Sequence, residues 1–116
     1  MEPVASAHFP YLPLQLQVDE STSSIEGLLD TGFDGDLTIP PDLDAEGTLS
    51  HDYLSWTLAD DSSVTAPVYI GLARISSLAT FPVLVTALGN EPLIGRGVSD
   101  RYRITLDHGQ RVIVEP

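Results

Sequence analysis

The sequence predicts an all-β fold, a barrel or a sandwich built from short strands. Apolar residues recur at every second position in several segments, which is the period of a half-buried strand. No 12-residue window carries a convincing helical stripe at positions i, i+3, i+4 and i+7. With 116 residues, 42% of them hydrophobic, the chain has the size of one domain with its own core. We therefore expect an N-terminal tail at residues 1–10 and a single domain at residues 11–116.

The individual elements follow from local alternation and from the polar residues that interrupt it. The predicted strands are residues 12–18, 25–30, 37–39, 54–58, 64–70, 81–88, 102–106 and 112–114. Residues 54–70 form a long hairpin with a polar tip at 60–63, whereas the compact apolar run 81–88 suits a strand buried on both faces. Residues 41–50 are predicted to be loop, and only residues 97–102 suit a short helix.

Charge and composition exclude several function classes. The chain carries 17 acidic and 5 basic residues, a formal charge of −12, which would repel a phosphate backbone, so nucleic acid is not an expected partner. It has no cysteine and therefore no disulfide, thiol nucleophile or thiolate metal site. The N-terminus lacks a basic start and a continuous apolar segment, and 18 apolar residues never run together. We expect a soluble, cytoplasmic protein with no membrane partner.

Common metal, nucleotide and serine-nucleophile motifs do not occur in the sequence. The histidines His8, His51 and His108 are more than 40 residues apart and fit no metal-binding spacing, so each is predicted to be an ordinary surface or turn residue. The glycines of GRGVSD at 95–100 fit neither phosphate-binding pattern, and no serine lies in G-x-S-x-G. Neither a metal nor a cofactor is expected.

A calcium loop is the first alternative for the acidic stretch that begins at Asp30. Asp30, Asp34 and Gly35 occupy positions 1, 5 and 6 of an EF-hand loop. Gly32 replaces the ligand at position 3, Pro41 replaces the bidentate glutamate at position 12, and the flanking segments are strands. The calcium interpretation fails on these three counts.

Residues 28–40, LLDTGFDGDLTIP, contain the motif of greatest chemical interest. Asp-Thr-Gly by itself is equally a turn that ends a strand. The whole segment, however, closely resembles the active-site segment of retropepsin-like aspartic proteases, in which an apolar pair precedes Asp-Thr-Gly and a hydrophobic strand follows. Residues 92–100, PLIGRGVSD, resemble the apolar-apolar-Gly motif of the same family, and the hairpin between the two motifs lies where the family has its flap. The resemblance extends from about residue 11 to residue 114 and is closest to single-domain prokaryotic members.

This resemblance implies a closed acid-protease barrel with one short helix near the C-terminus, and an aspartic endopeptidase activity. Two carboxylates that share one proton provide both the base that activates water and the acid that protonates the leaving group. The chain has a single Asp-Thr-Gly, so the pair requires a second copy with its Asp30, and we expect a homodimer. By resemblance, Thr31 braces the loop across the two-fold axis, and Gly32 permits close backbone approach.

Further residues are assigned by the same resemblance. Asp34 and Arg96 occupy positions at which retroviral relatives carry an ion pair near the dimer interface; two solvated charges are the alternative. Phe33 replaces the small residue usual after Asp-Thr-Gly and is expected to narrow a substrate cleft.

The predicted flap supplies the remaining substrate-binding candidates. They are Trp56 on the hairpin arm and Ala59, Asp60 and Asp61 at its tip, with core packing equally open for Trp56. The tip lacks a glycine, so its opening is expected to be slow. Besides an endopeptidase acting on peptide or protein substrates, the sequence leaves open a pseudo-protease that serves as a dimerisation or peptide-binding module.

Overall fold

The structure is a computed structural model that describes residues 4–41 and 52–116. Within these ranges it consists of strands and one short helix. The elements are β1 (Val4–Ser6), β2 (Tyr11–Val18), β3 (Ser21–Leu29), β4 (Leu37–Ile39), β5 (Asp52–Thr57), β6 (Ser63–Arg74), β7 (Phe81–Ala87), β8 (Leu93–Ile94), α1 (Arg96–Ser99), β9 (Arg103–Asp107) and β10 (Arg111–Glu115).

Six of the strands close into a barrel. They are hydrogen-bonded in the order β2-β3-β8-β4-β7-β6, and β6 pairs again with β2 through residues 72–74 and 15–17. The strand β5 pairs with β6 outside this ring and extends the sheet by one member. Closure removes the open edges that a flat sheet of this size would expose. The predicted all-β fold with a closed barrel is confirmed.

The core lies inside the barrel, where the predicted alternation places it. In β2 the side chains of Leu12, Leu14 and Leu16 are buried, while the residues between them are exposed. A second sheet has the order β1-β10-β9. Its Val112 and Val114 are fully buried and join the same hydrophobic cluster, so the two sheets share one core. Strand β1 lies within the stretch expected to be a tail.

Several element bounds differ from those expected from the sequence. Strand β3 begins at Ser21, directly after a two-residue turn in which Asp19 has a φ of 52°. Strand β6 continues to Arg74, because its last residues pair with both β7 and β2, a non-local bond that its local pattern does not reveal. The run at 81–87 is not buried on both faces throughout, since Pro82 is exposed and Leu84 is half-buried. The helix is one turn and begins one residue early, at Arg96.

The predicted loop at residues 41–50 lies outside the described residues, apart from Pro41. Across residues 4–41 and 52–116, no helix combines the length and the apolar character that crossing a bilayer requires.

Candidate active site

Asp30 follows the last residue of β3 and is held where two parallel strands end together. Leu28 and Leu29 pair in parallel with Leu93 and Ile94 of β8. The backbone N–H of Asp30 then donates to the carbonyl of Ile94 at 3.0 Å. The two leucines that precede Asp30 therefore serve as the strand that anchors it, while the residue itself is half-buried at the edge of the core.

The next three residues form a tight loop around the Asp30 carboxylate. The Gly32 N–H donates to Asp30 Oδ1 at 2.9 Å, and the Phe33 N–H donates to the Asp30 carbonyl at 3.3 Å. A side chain at position 32 would place its Cβ 3.3 Å from that same Oδ1, which is a tight contact. Glycine here keeps the carboxylate clear, and both Thr31 and Gly32 are exposed.

The aromatic ring of Phe33 fills a slot made by two glycines. A Cβ added at Gly35 would lie 2.7 Å from Phe33 Cε1 and closer still to its Cζ, and one added at Gly95 would lie 2.6 Å from its Cδ2. On the hairpin side the ring packs against Trp56, with centroids 5.4 Å apart and planes at 60°. The Phe33 carbonyl accepts the Arg96 N–H at 2.8 Å, so this residue links the Asp30 loop to the helix.

Asp34 and Arg96 are not paired with each other in the described part of the protomer. The guanidinium of Arg96 instead lies 3.3 Å from the carboxylate of Asp100, one helical turn further on, and both side chains are more than half exposed. An exposed pair of this kind contributes little stability. The pairing of Asp34 with Arg96 in an assembled dimer remains a prediction.

Sequence reasoning missed Asp36, which fastens the loop to the rest of the barrel. Its Oδ2 accepts the backbone N–H of Leu84 in β7 at 2.8 Å, and its carbonyl accepts the N–H of Gly95 at 2.9 Å. A Cβ at Gly97 would overlap Asp36 Oδ1. No local pattern indicates this role, since Leu84 lies 48 residues from Asp36 along the chain.

The hairpin of β5 and β6 ends in a turn that is ordered without glycine. Asp60 Oδ1 accepts the N–H of Ser62 at 3.0 Å and its hydroxyl at 2.5 Å. These two bonds, the hydroxyl bond above all, lower the pKa of the Asp60 carboxyl below its usual value. Asp61 takes the left-handed conformation, with φ at 67°, in place of a glycine. The Leu58 N–H closes the turn on the Ser62 carbonyl at 2.8 Å.

Two cavities meet at Asp30. The first, of about 360 Å³, lies between the Asp30 loop and the hairpin. Its lining residues are Asp30, Gly32, Phe33, Thr38, Trp56, Thr57, Leu58, Ala59, Leu88, Gly89 and Leu93. Most of the predicted cleft residues are thus brought together here, but Asp60 and Asp61 are not among them. We call this cavity the hairpin cleft.

The second cavity, of about 450 Å³, shares Asp30 with the first and is also lined by Thr31. It is largely apolar and was not predicted from the sequence. Its lining residues are Phe9, Pro10, Leu29, Asp30, Thr31, Ser99, Tyr102, Ile104 and Leu106. Leu106 is 54% exposed, and burial raises the pKa of the Tyr102 phenol. We call this cavity the apolar groove.

Comparison with known proteins supports the fold and goes no further. No family model and no curated protein matches the sequence. Among solved structures, a retropepsin-like aspartic protease from Rickettsia conorii is similar, with a TM-score of 0.58 and 14% sequence identity, over 97% of this chain and 89% of that chain. At this identity the likeness shows the fold alone: the closed barrel is that of the retropepsin-like aspartic proteases.

Proposed function

We propose that the protein is an aspartic endopeptidase that acts as a homodimer. The observation that carries the proposal is the position of Asp30, which lines both the hairpin cleft and the apolar groove. One cavity suits a substrate and the other suits a second copy of the chain. The shared fold of a known aspartic protease supports the same conclusion.

The chemistry requires a second carboxylate, and the described residues of the protomer do not offer one at the site. Asp30 is the only acid among the residues that line the two cavities. Across a two-fold axis through the Asp30 loop, the second Asp30 would come from the partner copy. Two carboxylates about 3 Å apart cannot both be ionised, so one holds a proton while the other accepts one from the attacking water. The protonated carboxyl then donates to the carbonyl oxygen of the scissile bond.

The apolar groove is the proposed dimer interface. Leu106 lies on β9, the outermost strand of the three-stranded sheet, where its side chain is exposed beside the groove. Association that covers this face would remove apolar surface from water and bring the two Asp30 loops together. In the dimer we expect the guanidinium of Arg96 to leave the carboxylate of Asp100 and to form an ion pair with Asp34 instead.

Substrate would lie in the hairpin cleft as an extended peptide. The cleft runs from Asp30 to Ala59 near the hairpin tip, so a strand-like peptide can place a backbone carbonyl next to the carboxylate. Removing the carboxylate should therefore abolish turnover and leave the fold and assembly intact.

Cleavage of a mixed peptide library between pH 4 and 6 tests the activity. Asp30→Asn is expected to lower the rate at least about 100-fold, because it removes the shared acid and base. Asp52→Asn is the matched control, since Asp52 is exposed and lines neither cavity. A peptide-like inhibitor of aspartic proteases should block the parent protein. Cleavage that survives Asp30→Asn would exclude Asp30 from the mechanism.

Sedimentation tests the interface independently. Leu106→Asp should raise the dimer dissociation constant about tenfold or more, because it places a charge in an apolar contact. Leu72→Asp adds the same charge at another exposed leucine and should leave assembly unchanged. Arg96→Ala should weaken the dimer, whereas Asp100→Ala should not. A monomer at high concentration would refute the proposed dimer.

A peptide-binding module without turnover is the second candidate, and the hairpin tip favours it. The tip is held by the hydrogen bonds between Asp60 and Ser62 in place of a flexible glycine, so opening of the cleft is opposed. Peptide binding by the parent protein with no inhibitor-sensitive cleavage would select this function.

A further inference from the structure

The indole N–H of Trp56 is buried and has no hydrogen-bond acceptor among the described residues. The Trp56 residue as a whole is half-buried, and it lines the hairpin cleft with Asp30. An indole N–H can only donate a hydrogen bond, so a neighbouring donor group cannot satisfy it and an acceptor is required. Burial removes the water that would accept this hydrogen bond, and no acceptor in the described part of the chain replaces it. A state in which an acceptor reaches the indole N–H is therefore more favourable.

The residues around Trp56 hold its ring but leave its N–H unsatisfied. The six-membered ring lies close to Gly35, where an added Cβ would be 2.9 Å from Trp56 Cη2, and it packs against Phe33. Two hydroxyl groups line the same cleft, those of Thr38 and Thr57. The Thr38 hydroxyl oxygen already accepts the Leu93 N–H at 3.1 Å, and neither hydroxyl serves the indole.

The strand that carries Trp56 is an edge strand with little buried surface in the described part of the sheet. It is the last strand of the seven-stranded order, paired with β6 alone, and its residues are exposed apart from half-buried Trp56. Few apolar contacts resist a small displacement of such a strand. Because Trp56 lines the cleft, a small displacement of this strand is the movement that an incoming acceptor would require to reach the indole N–H.

We propose that Trp56 donates its indole N–H to a backbone carbonyl oxygen of an extended peptide bound in the hairpin cleft. This inference rests on the proposed function, whose substrate it further defines. A neutral carbonyl fits better than a carboxylate, because the cleft already contains Asp30 and the chain carries a formal charge of −12. Main-chain recognition would orient the peptide without selecting one side chain.

Nuclear magnetic resonance can test this directly, because Trp56 is the only tryptophan and gives a single indole N–H signal. The probe is a blocked neutral octapeptide with apolar residues at alternate positions, added to the Asp30→Asn protein so that it is not cleaved. We expect the indole proton to move downfield as the peptide saturates the cleft. The amide signals of Gly32 and Leu93 report binding independently, since both residues line the cleft.

Replacement of Trp56 by benzothienylalanine removes the N–H and keeps the shape of the ring. Loss of one neutral hydrogen bond should weaken the peptide about 2- to 12-fold. Tyr53→Phe is the control, because it removes one donor from an exposed residue of the same strand and should not change affinity.

The outcomes separate this inference from the proposed function. If the Gly32 and Leu93 amides shift while the indole proton does not, or if the benzothienyl protein binds equally well, the inference is wrong and the peptide site stands. If no peptide shifts those amides, the proposed cleft is wrong and the inference fails with it.

Discussion

The contact between Gly27 and Ile94 lies directly beneath Asp30 and allows a quantitative test of the packing. A Cβ at Gly27 would be 2.5 Å from Ile94 Cγ1 and 2.8 Å from its Cδ1, so the isoleucine occupies the space that a side chain would need. Ile94 is 1% exposed, and its carbonyl accepts the Asp30 N–H. The perturbation is a pair of substitutions, Gly27→Ala and Ile94→Ala, made singly and together.

The expected magnitudes follow from the atoms removed and added. Ile94→Ala deletes three carbon atoms, a loss of about 2.4 kcal/mol by transfer, and the cavity left behind raises the cost to about 3–4 kcal/mol. Gly27→Ala forces a methyl group into the isoleucine and should cost about 1–3 kcal/mol. In the double variant that methyl enters the vacated space. Its free energy of unfolding should therefore exceed the additive value by about 1–2 kcal/mol.

Urea unfolding at one fixed protomer concentration is the appropriate assay, because the stability of a dimer depends on concentration. The midpoint for Ile94→Ala should fall by about 1–3 M urea. Gly89→Ala is the control for coupling: its φ of 90° makes the substitution costly by itself, but a Cβ there would meet nothing within 4 Å, so its cost should add to that of Ile94→Ala. Additivity of Gly27→Ala and Ile94→Ala within about 0.5 kcal/mol would refute the packing argument.

Three further predictions concern single polar or backbone features. Asp36→Ala should destabilise by about 1–2 kcal/mol in urea unfolding, because the N–H of half-buried Leu84 loses its acceptor, whereas Asp36→Asn should cost less; equal costs would contradict this. Ser62→Ala should raise the lowered pKa of Asp60 in a carboxyl NMR titration. Folding lowers the pKa of Asp60, so the ionised carboxylate stabilises the tip. This stabilisation is complete at a pH above the usual pKa of about 3.9, and it is lost as the pH falls through the lowered pKa. Gly109→Ala should lower the free energy of unfolding by about 1 kcal/mol, because φ at this residue is 69° and a Cβ there would meet no neighbouring atom that adds to the cost. An unchanged urea midpoint would reject this prediction.

The fold was largely predictable because its strands are marked by local alternation. The side chains of β2 alternate between core and solvent as their sequence indicates, and the turn of β9 and β10 lies at His108 and Gly109, where both φ values are positive. Strand ends set by non-local pairing were not predictable, such as the extension of β6 to Arg74.

The candidate site was predictable only where a motif carried it. Asp30, Gly32, Phe33 and Trp56 line one cleft, and their roles in catalysis and substrate binding remain proposals. Asp36 was missed because one more aspartate in an acidic loop carries no local sign of its bond to Leu84, which is 48 residues away.

The sequence by itself determined the strand periodicity and the one Asp-Thr-Gly that makes a second copy necessary for the proposed chemistry. Each of these depends on residues that are neighbours along the chain. Tertiary structure alone decided that Asp30 lines two cavities, that Phe33 occupies a slot between Gly35 and Gly95, and that the Trp56 N–H finds no acceptor among residues 4–41 and 52–116. Cavities and unpaired donors arise from atoms brought together by closure of the barrel, and sequence spacing does not encode the distance between them.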